Sequence, residues 1–259
     1  MILPCCCRMP VILLGVLVFA GQAMAEGPVS GYEFLTPETR AMQDDEFENP
    51  GMVAVEQGEA LFLEHRPDEE YACADCHGSD GGKLDRKKLA TYPLFDRNLG
   101  GLVTLQDQIS HCWEIHMDRF PLEYDHPDLI LLETYIRNLA RGETISVATG
   151  GPVSDLLQQG EQLYRTRYGQ LDMACYHCHV QHQGQMLRGQ RLSQGQANGF
   201  PEYRLGKGSI TSLHQRLRQC FVSFRADPFE PGSREFKLLE LHLMSRGNGL
   251  KIETPAVRF

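Results

Sequence analysis

Two pentapeptides of one pattern constrain this chain most: Cys73-Ala-Asp-Cys76-His77 and Cys175-Tyr-His-Cys178-His179. The pattern Cys-x-x-Cys-His is the attachment signal for c-type haem, because two thiols add to the porphyrin vinyl groups and the next histidine reaches the iron. The sequence therefore predicts two covalently bound haems. The predicted attachment residues are Cys73, Cys76, Cys175 and Cys178, and the predicted proximal iron ligands are His77 and His179.

A Cys-x-x-Cys pair also occurs in zinc sites and in thiol–disulfide redox proteins. Both alternatives leave His77 and His179 without a role. An exported chain, moreover, seldom keeps four cysteines reduced for an all-thiolate zinc site. Covalent haem is therefore the favoured interpretation of both motifs.

The sequence around the two motifs is an internal repeat. Gly58-Glu59-x-Leu61-Phe62 stands before Cys73 at the same spacing at which Gly160-Glu161-x-Leu163-Tyr164 stands before Cys175. Two further matches follow each motif. In the first, Thr104-Leu105-x-x-Gln108-Ile109-x-x-Cys112 matches Ser212-Leu213-x-x-Arg216-Leu217-x-x-Cys220, so both copies end in a lone cysteine. In the second, Leu131-Leu132-Glu133 matches Leu238-Leu239-Glu240. A repeat of about a hundred residues indicates a duplicated domain.

The predicted fold class is mainly α, with two tandem cytochrome c-like domains. Apolar residues recur at helical spacing before each motif and after each lone cysteine, and Gly142 and Gly247 are placed to stop the closing helices. Because Gly150-Gly151-Pro152 breaks any helix, we divide the chain into residues 26–148 around the first haem and 149–259 around the second.

Two segments stand outside the repeated helical pattern, and no convincing run of alternating strands is present. Residues 26–50 are acidic and turn-rich, and we expect them to pack as an arm on the first domain. The Gln- and Gly-rich stretch from Gln181 to Gly208 is expected to form a long loop.

Residues 1–25 have the pattern of a signal peptide. Arg8 is the only charge, Val11 to Ala20 is a short apolar run, and Ala23-Met24-Ala25 is a small-x-small cleavage site. The apolar run is too short to span a bilayer, so no stable membrane anchor is expected. With 34 acidic against 25 basic side chains, nucleic acid is an unsuitable partner. Together these features indicate a soluble redox protein of the Gram-negative periplasm.

The lone cysteines Cys112 and Cys220 stand at equivalent positions, so each predicted haem has a thiol available to it. Methionine or histidine is the usual distal ligand. The candidates near the lone cysteines are Met117, His111 and His116 in the first repeat and Met186, His182 and His214 in the second. None of these recurs in both repeats, which favours thiolate ligation by Cys112 and Cys220. A disulfide between the two cysteines is the alternative that an oxidising compartment permits.

The repeats differ one helical turn before the lone cysteine, where Arg216 replaces Gln108. An arginine here would stabilise a thiolate and offer a forked donor to an oxyanion such as sulfate or thiosulfate. Arg218 and Arg225 add positive charge nearby. The alternative is that these arginines form a solvated helix face, which suits Arg218 better because position i−2 points away from Cys220.

The chain resembles the SoxA family, the dihaem cytochrome subunits of the bacterial sulfur-oxidation system. Besides the two haem motifs, the matching pieces are Gly31-Tyr-Glu-Phe34, Asn49-Pro-Gly-Met52, and the Arg216-x-x-x-Cys220 segment with Arg225-Ala226-x-Pro228. The two lone-cysteine frames are more specific than the haem motifs, which many cytochromes share.

This resemblance implies a periplasmic L-cysteine S-thiosulfotransferase. Such an enzyme pairs with a SoxX-like monohaem cytochrome c, joins thiosulfate oxidatively to a cysteine of a SoxYZ-like carrier protein, and passes electrons to a downstream c-type cytochrome. Carried over by position, His77 and Cys112 would ligate haem 1, and His179 and Cys220 would ligate haem 2. Cys220 would also be the catalytic residue, and Arg216 would bind the anionic substrate.

Two other functions stay open on the residues alone. A non-catalytic dihaem electron-transfer cytochrome would use the same haem motifs without a substrate site. A dihaem peroxidase would need a vacant or displaceable distal position at one haem, and two thiolate ligands argue against that.

Overall fold

The computed structural model describes residues 27–65 and 71–259, so the predicted signal peptide lies outside the described residues. The helices are α1 (Pro37–Asp44), α2 (Met52–Leu63), α3 (Cys73–His77), α4 (Arg86–Leu89), α5 (Leu105–Ile115), α6 (Pro127–Leu139), α7 (Ser154–Arg165), α8 (Leu213–Ser223) and α9 (Arg234–Arg246). Short 3-10 turns lie at Gly31–Phe34 and Gly151–Val153, and a π-helical turn lies at His177–Gln181. The prediction of a mainly α fold is confirmed.

The strands are short. β1 (Leu94–Asp96) pairs with β2 (Gly101–Val103), and β3 (Met186–Leu187) pairs with β4 (Gln190–Arg191), both antiparallel. The third sheet has the order β6 (Ser209–Thr211), β5 (Glu202–Arg204), β7 (Ala256–Arg258), with β5 parallel to β7.

Each half of the chain is built on a pair of crossing helices, α2 with α6 and α7 with α9. Glycines stand at both crossings. A Cβ atom on Gly58 would lie 2.2 Å from the carbonyl oxygen of Leu131, and one on Gly160 would lie 2.3 Å from that of Leu238. Only glycine permits so close an approach of two backbones. The repeated Gly-Glu and Leu-Leu-Glu segments are therefore the two sides of one packing contact.

The helices that carry the lone cysteines begin in the same way. In each repeat a hairpin leads directly into the helix, and a hydroxyl side chain caps it. The Thr104 hydroxyl accepts from the backbone N–H of Asp107 at the start of α5, and the Ser212 hydroxyl accepts from that of Gln215 at the start of α8. Cys112 and Cys220 consequently occupy the same helical position after equivalent caps.

The expectation of one long loop from Gln181 to Gly208 is wrong, because β3, β4 and β5 lie within it. The hairpin formed by β5 and β6 is the counterpart of β1 and β2 in the first repeat. Strands of two or three residues contain too few positions to show alternation in the sequence. The register of these hairpins becomes visible only in the structure.

The N-terminal arm packs chiefly on the end of the second repeat, so the expectation that it packs on the first domain is wrong for most of its contacts. The Asn49 side chain donates to the carbonyl oxygen of Pro255 at 3.0 Å, and the Gln43 side chain accepts from the N–H of Val257 at 3.0 Å. From the first repeat, Arg141 donates to the carbonyl oxygen of Gln43. The arm thus ties the two ends of the chain together.

The predicted division near residue 148 falls in a segment that also bonds to the end of the chain. Val147 and Asn248 exchange two hydrogen bonds of 2.8 and 3.0 Å, and the N–H of Ile145 donates to the carbonyl oxygen of Leu250. The two-domain division itself stays a prediction. Of the helices that the structure describes, none is long and apolar enough to cross a membrane.

Candidate active site

Both pentapeptides adopt helical turns that leave their thiols available. The first forms α3, in which Cys73 is half-buried and Cys76 is exposed. The second runs into the π-helical turn, with Cys175 buried and Cys178 half-buried. All four sulfurs are free, as thioether formation with a porphyrin requires.

The ring of His179 is held as an iron ligand needs to be. Its Nδ1 lies 2.9 Å from the carbonyl oxygen of Ser193. The ring also packs against Gly195, where a Cβ would lie 2.7 Å from the His179 Cγ. An imidazole that donates its Nδ1–H to a carbonyl keeps the Nε2 lone pair for a metal. These contacts fit ligation of a haem iron by His179.

His77 is also suited to ligation. The centroid of its ring lies 6.3 Å from that of Phe62, which is on α2 of the first helix pair. Burial lowers the pKa of His77, and the nearby positive charges of Lys83 and His116 lower it further. A neutral imidazole is the form that binds a metal.

Each lone cysteine lies beside its own haem motif. Burial raises the pKa of Cys175 to about 12, and the adjacent sulfur of Cys220 contributes to the increase. Burial likewise raises the pKa of Cys73 to about 11, with a smaller contribution from Cys112. Since charge interactions weaken with distance, these effects place each lone sulfur near the motif of the same repeat. Among the described residues Cys112 and Cys220 are free, so the disulfide alternative is not formed.

The other distal candidates of the second repeat are poorly placed. Met186 is 60% exposed, and His182 is exposed on the same hairpin segment. His214 is buried, but its Nε2 lies 3.1 Å from a carboxylate oxygen of Glu240. Cys220, by contrast, is half-buried and lies within electrostatic range of both cysteines of the second motif.

The first repeat keeps two distal candidates. The Gln108 side chain donates to the Cys112 sulfur at 3.4 Å, which marks this thiol as an acceptor. Met117 is also buried, and its Sδ lies 3.9 Å from the sulfur of Cys73. Cys112 is favoured over Met117 as the distal ligand because Cys220 stands at the equivalent position of the second repeat, and not because its sulfur lies closer to the first motif.

Arg216 lies within electrostatic range of His179 in the second motif. Burial lowers the pKa of His179, the Ser193 hydrogen bond opposes this, and the charge of Arg216 lowers it further. Arg218 is exposed and lines a cleft with Asp125 and Glu230 instead. The structure thus separates the two arginines onto different faces of the helix.

The sequence pattern did not single out Arg204, at the end of β5. Its Nη1 lies 3.0 Å from Glu202, and its side chain is only 14% exposed. Burial lowers the pKa of Arg204, and the positive charge of Arg216 lowers this pKa further. The negative charges of Glu202 and Cys220 act in the opposite direction and raise it. Arg204 therefore lies within electrostatic range of both Arg216 and Cys220. The sequence does contain one feature that could have identified Arg204. It precedes Cys220 by the same number of residues as Asp96 precedes Cys112.

A buried polar cluster lies where the two repeats meet. The Gln106 side chain donates to Glu133 at 2.8 Å, and the equivalent pair in the second repeat is His214 with Glu240. The hydroxyl of Tyr124 donates to Glu240 at 3.2 Å, and its ring stacks on His214. This cluster joins the first turns of α5 and α8, and so fixes the helices of the lone cysteines relative to one another.

Known proteins match this chain over most of its length. The model of the SoxA/TsdA cytochrome c domain matches residues 57–145 and 159–252. The L-cysteine S-thiosulfotransferase subunit SoxA of Rhodovulum sulfidophilum is 41% identical, over 88% of this chain and 79% of its own length. The SoxA subunit of Pseudaminobacter salicylatoxidans is 37% identical, over 92% of this chain and 83% of its own.

A solved structure agrees with these sequences. The crystal structure of SoxXA from P. pantotrophus contains a chain that matches with a TM-score of 0.83 and 33% identity, over 90% of this chain and 87% of that one. The two segments matched by the family model coincide with the two repeats, which confirms tandem cytochrome c-like domains and the covalent haem that such domains carry. On the sequence, the fold and the repeated site together, the chain belongs to the SoxA family.

Proposed function

We propose that this chain is the catalytic subunit of a periplasmic L-cysteine S-thiosulfotransferase, which couples thiosulfate oxidatively to a cysteine of a SoxYZ-like carrier protein. The observation that carries the proposal is the placement of Cys220. It is a free thiol on α8, beside the second motif and one turn after Arg216. Curated relatives over most of the chain are named as subunits of this enzyme.

Two covalently bound c-type haems are the proposed cofactors, one at each motif. Cys73 and Cys76 would attach the first, and Cys175 and Cys178 the second, with His77 and Cys112 ligating one iron and His179 and Cys220 the other. When bound, the haems supply sites that accept electrons one at a time. The hydrogen bond from His179 to Ser193 supports this assignment at the second motif.

The proposed reaction balances as a two-electron oxidation followed by an exchange. The thiolate of Cys220 and the outer sulfur of thiosulfate form a sulfur–sulfur bond, and two electrons leave. Cys220 then carries an S-SO3 group with one negative charge. The carrier cysteine, as thiolate, attacks the outer sulfur, the bond to Cys220 breaks, and Cys220 leaves as thiolate. The second step needs no further oxidant.

Arg216 has two roles in this scheme. Its guanidinium stabilises the thiolate of Cys220, and it donates to the sulfonate oxygens of the substrate. Gln108, the residue at the same place in the first repeat, is uncharged and donates to Cys112 instead. That difference supports catalysis at the second site rather than the first.

The proposed partners follow from the same relatives. The matched solved structure is a SoxXA complex, so we infer that this chain forms a heterodimer with a SoxX-like monohaem cytochrome c. A downstream c-type cytochrome would take the electrons. The signal pattern of residues 1–25 and the covalent haem motifs support a periplasmic location.

The test is transfer by the haem-loaded complex with its carrier and an electron acceptor. We expect thiosulfate-dependent mass gain on the carrier cysteine, its loss in Cys220→Ala, and its retention in Cys112→Ala. The reverse pattern would exchange the two sites. Haem reduction without any thiosulfate-dependent modification would instead identify a non-catalytic electron-transfer cytochrome.

A further inference from the structure

The two lone-cysteine sites carry different charges at two equivalent positions. Asp96 ends β1 and Arg204 ends β5, and each stands at the same spacing before the lone cysteine of its repeat. The cross-strand partners agree, because each of these residues pairs with the first residue of the next strand. With Arg216 in place of Gln108, the second site therefore has two guanidinium groups where the first has a carboxylate and an amide.

In each repeat the residue at the end of the first hairpin strand shares its electrostatic surroundings with the lone cysteine. Burial raises the pKa of Tyr92 to about 12, and the charges of Cys112 and then Asp96 add to the increase, so both groups are within electrostatic range of Tyr92. In the second repeat, Arg204 lies within charge range of Arg216 and Cys220. The two arginines are thus supplied by different elements, Arg204 by β5 and Arg216 by α8.

The charge at the second site is only partly balanced. Glu202 is the one described carboxylate within ion-pair distance of either Arg204 or Arg216. It contacts the Nη1 atom of Arg204 at 3.0 Å and leaves the remaining guanidinium nitrogens without a carboxylate partner among the described residues. Two half-buried guanidinium groups with a single carboxylate within ion-pair distance leave a net positive charge, which favours the binding of an additional anion.

We propose that Arg204 is a second substrate-binding residue, which holds the sulfonate end of thiosulfate together with Arg216 while Cys220 bonds to the outer sulfur. This inference rests on the function proposed above. A sulfonate presents three oxygens, and two planar guanidinium groups from different elements can each donate to it in a forked geometry. Asp96 makes the first site repel such an anion, so only one of the two thiols is selected.

The proposal is tested in the haem-loaded complex with three variants. Arg204→Gln removes the charge, Arg216→Gln is the positive reference, and Arg218→Gln is the matched control on the exposed face of α8. Two quantities are measured: the KM for thiosulfate, and the dissociation constant of sulfate, an unreactive dianion, by calorimetry. The haem absorption spectrum and the potential of the second haem are recorded for each variant.

We expect Arg204→Gln to raise both constants roughly tenfold or more, as loss of a charge-assisted hydrogen bond does, with a smaller effect on kcat. Arg218→Gln should stay within about twofold of the wild type. Arg204→Lys, which keeps a point charge without the fork, should recover part of the loss. If Arg204→Gln does not fold, the paired variant Glu202→Gln with Arg204→Gln removes the unmatched carboxylate and tests the same point.

The outcomes separate this proposal from the one on which it rests. Unchanged KM and sulfate binding in Arg204→Gln, with weakened binding in Arg216→Gln, would overturn the role of Arg204 and leave the enzyme assignment standing. A shifted haem potential with unchanged anion binding would overturn it too, because Arg204 would then hold a haem propionate. Transfer that persists in Cys220→Ala would defeat the enzyme assignment itself.

Discussion

The side-chain amide of Gln108 donates to the sulfur of Cys112 at 3.4 Å, from the position that Arg216 occupies before Cys220. The two repeats share helix, cap and spacing, yet one lone cysteine is preceded by a neutral donor one turn earlier and the other by a cation. A cation stabilises a thiolate more than an amide does. This pair of equivalent residues supports the proposal that catalysis takes place at Cys220 rather than at Cys112.

Replacing Arg216 should impair turnover far more than replacing Arg218. Arg216 is half-buried and acts electrostatically on His179 of the second motif, whereas Arg218 is exposed. We expect Arg216→Ala to lower kcat/KM for thiosulfate by roughly tenfold to a hundredfold, since hydrogen bonds to charged groups contribute about 1.5–3 kcal/mol. Arg218→Ala should change it less than about twofold. Equal decreases of kcat/KM in steady-state assays of the two variants would show that Arg216 is not the substrate-binding residue.

Replacing Cys112 by methionine should change the first haem without stopping catalysis. A thioether in place of a thiolate raises the potential of a haem iron, and axial ligands shift such potentials on the order of 100 mV or more. Redox titration of Cys112→Met measures this directly. If the potential stays where it was, Met117, whose sulfur lies 3.9 Å from Cys73, would be the better candidate for the distal ligand.

A methyl group at the second helix crossing should destabilise the fold. In Gly160→Ala the new Cβ would lie 2.3 Å from the carbonyl oxygen of Leu238 and 2.9 Å from the Cβ of His242. Relieving this clash requires α7 and α9 to move apart, and we expect the free energy of unfolding to fall by about 1–3 kcal/mol.

The matched control is Gly206→Ala, because a Cβ at Gly206 would meet nothing within 4 Å. That variant should stay within about 0.5 kcal/mol of the wild type in urea denaturation of the haem-loaded protein. Similar stability losses in both variants would show that the close helix approach is not what Gly160 provides.

Glu133 should make stability depend on pH near neutrality. Burial raises the pKa of Glu133 from 4.5 to about 7, with Arg137 opposing the shift. Because the folded state binds the proton more tightly, this contribution to stability is complete below pH 4.5 and is lost as the pH rises through 7. Glu133→Gln stays neutral, so its advantage over the wild type should grow by about 3 kcal/mol between pH 4.5 and pH 8.

Thermal or urea denaturation of both proteins at several pH values measures that difference. The exposed Glu56→Gln is the matched control for loss of one carboxyl group. An advantage of Glu133→Gln that is the same at pH 4.5 and pH 8 would contradict the burial of a neutral carboxyl at the repeat interface.

The features predictable from the sequence are those set by local covalent chemistry and helical spacing. The haem motifs are contiguous, and the frames around Gly58 and Gly160 repeat because each forms one side of a helix crossing. Cys112 and Cys220 were found to be equivalent for the same reason, since each lies at a fixed distance from a helix cap.

What the sequence could not show depends on contacts between distant segments. Arg204 lies on a three-residue strand whose register is set by its partners on β6 and β7. The Gln43 side chain accepts a hydrogen bond from the backbone N–H of Val257, which is far away in the sequence. Many polar side chains can accept from a backbone N–H, so the identity of Gln43 does not reveal its partner. Neither contact leaves a periodic pattern that sequence analysis detects.

The most direct test of the central claim is peptide mapping of the haem-loaded complex after reaction with thiosulfate and an electron acceptor, without carrier protein. The account predicts that the peptide containing Cys220 gains sulfur from thiosulfate, that the peptide containing Cys112 does not, and that carrier protein removes the added group. Sulfur found on Cys112, or thiosulfate oxidation that leaves Cys220 unmodified throughout, would contradict it.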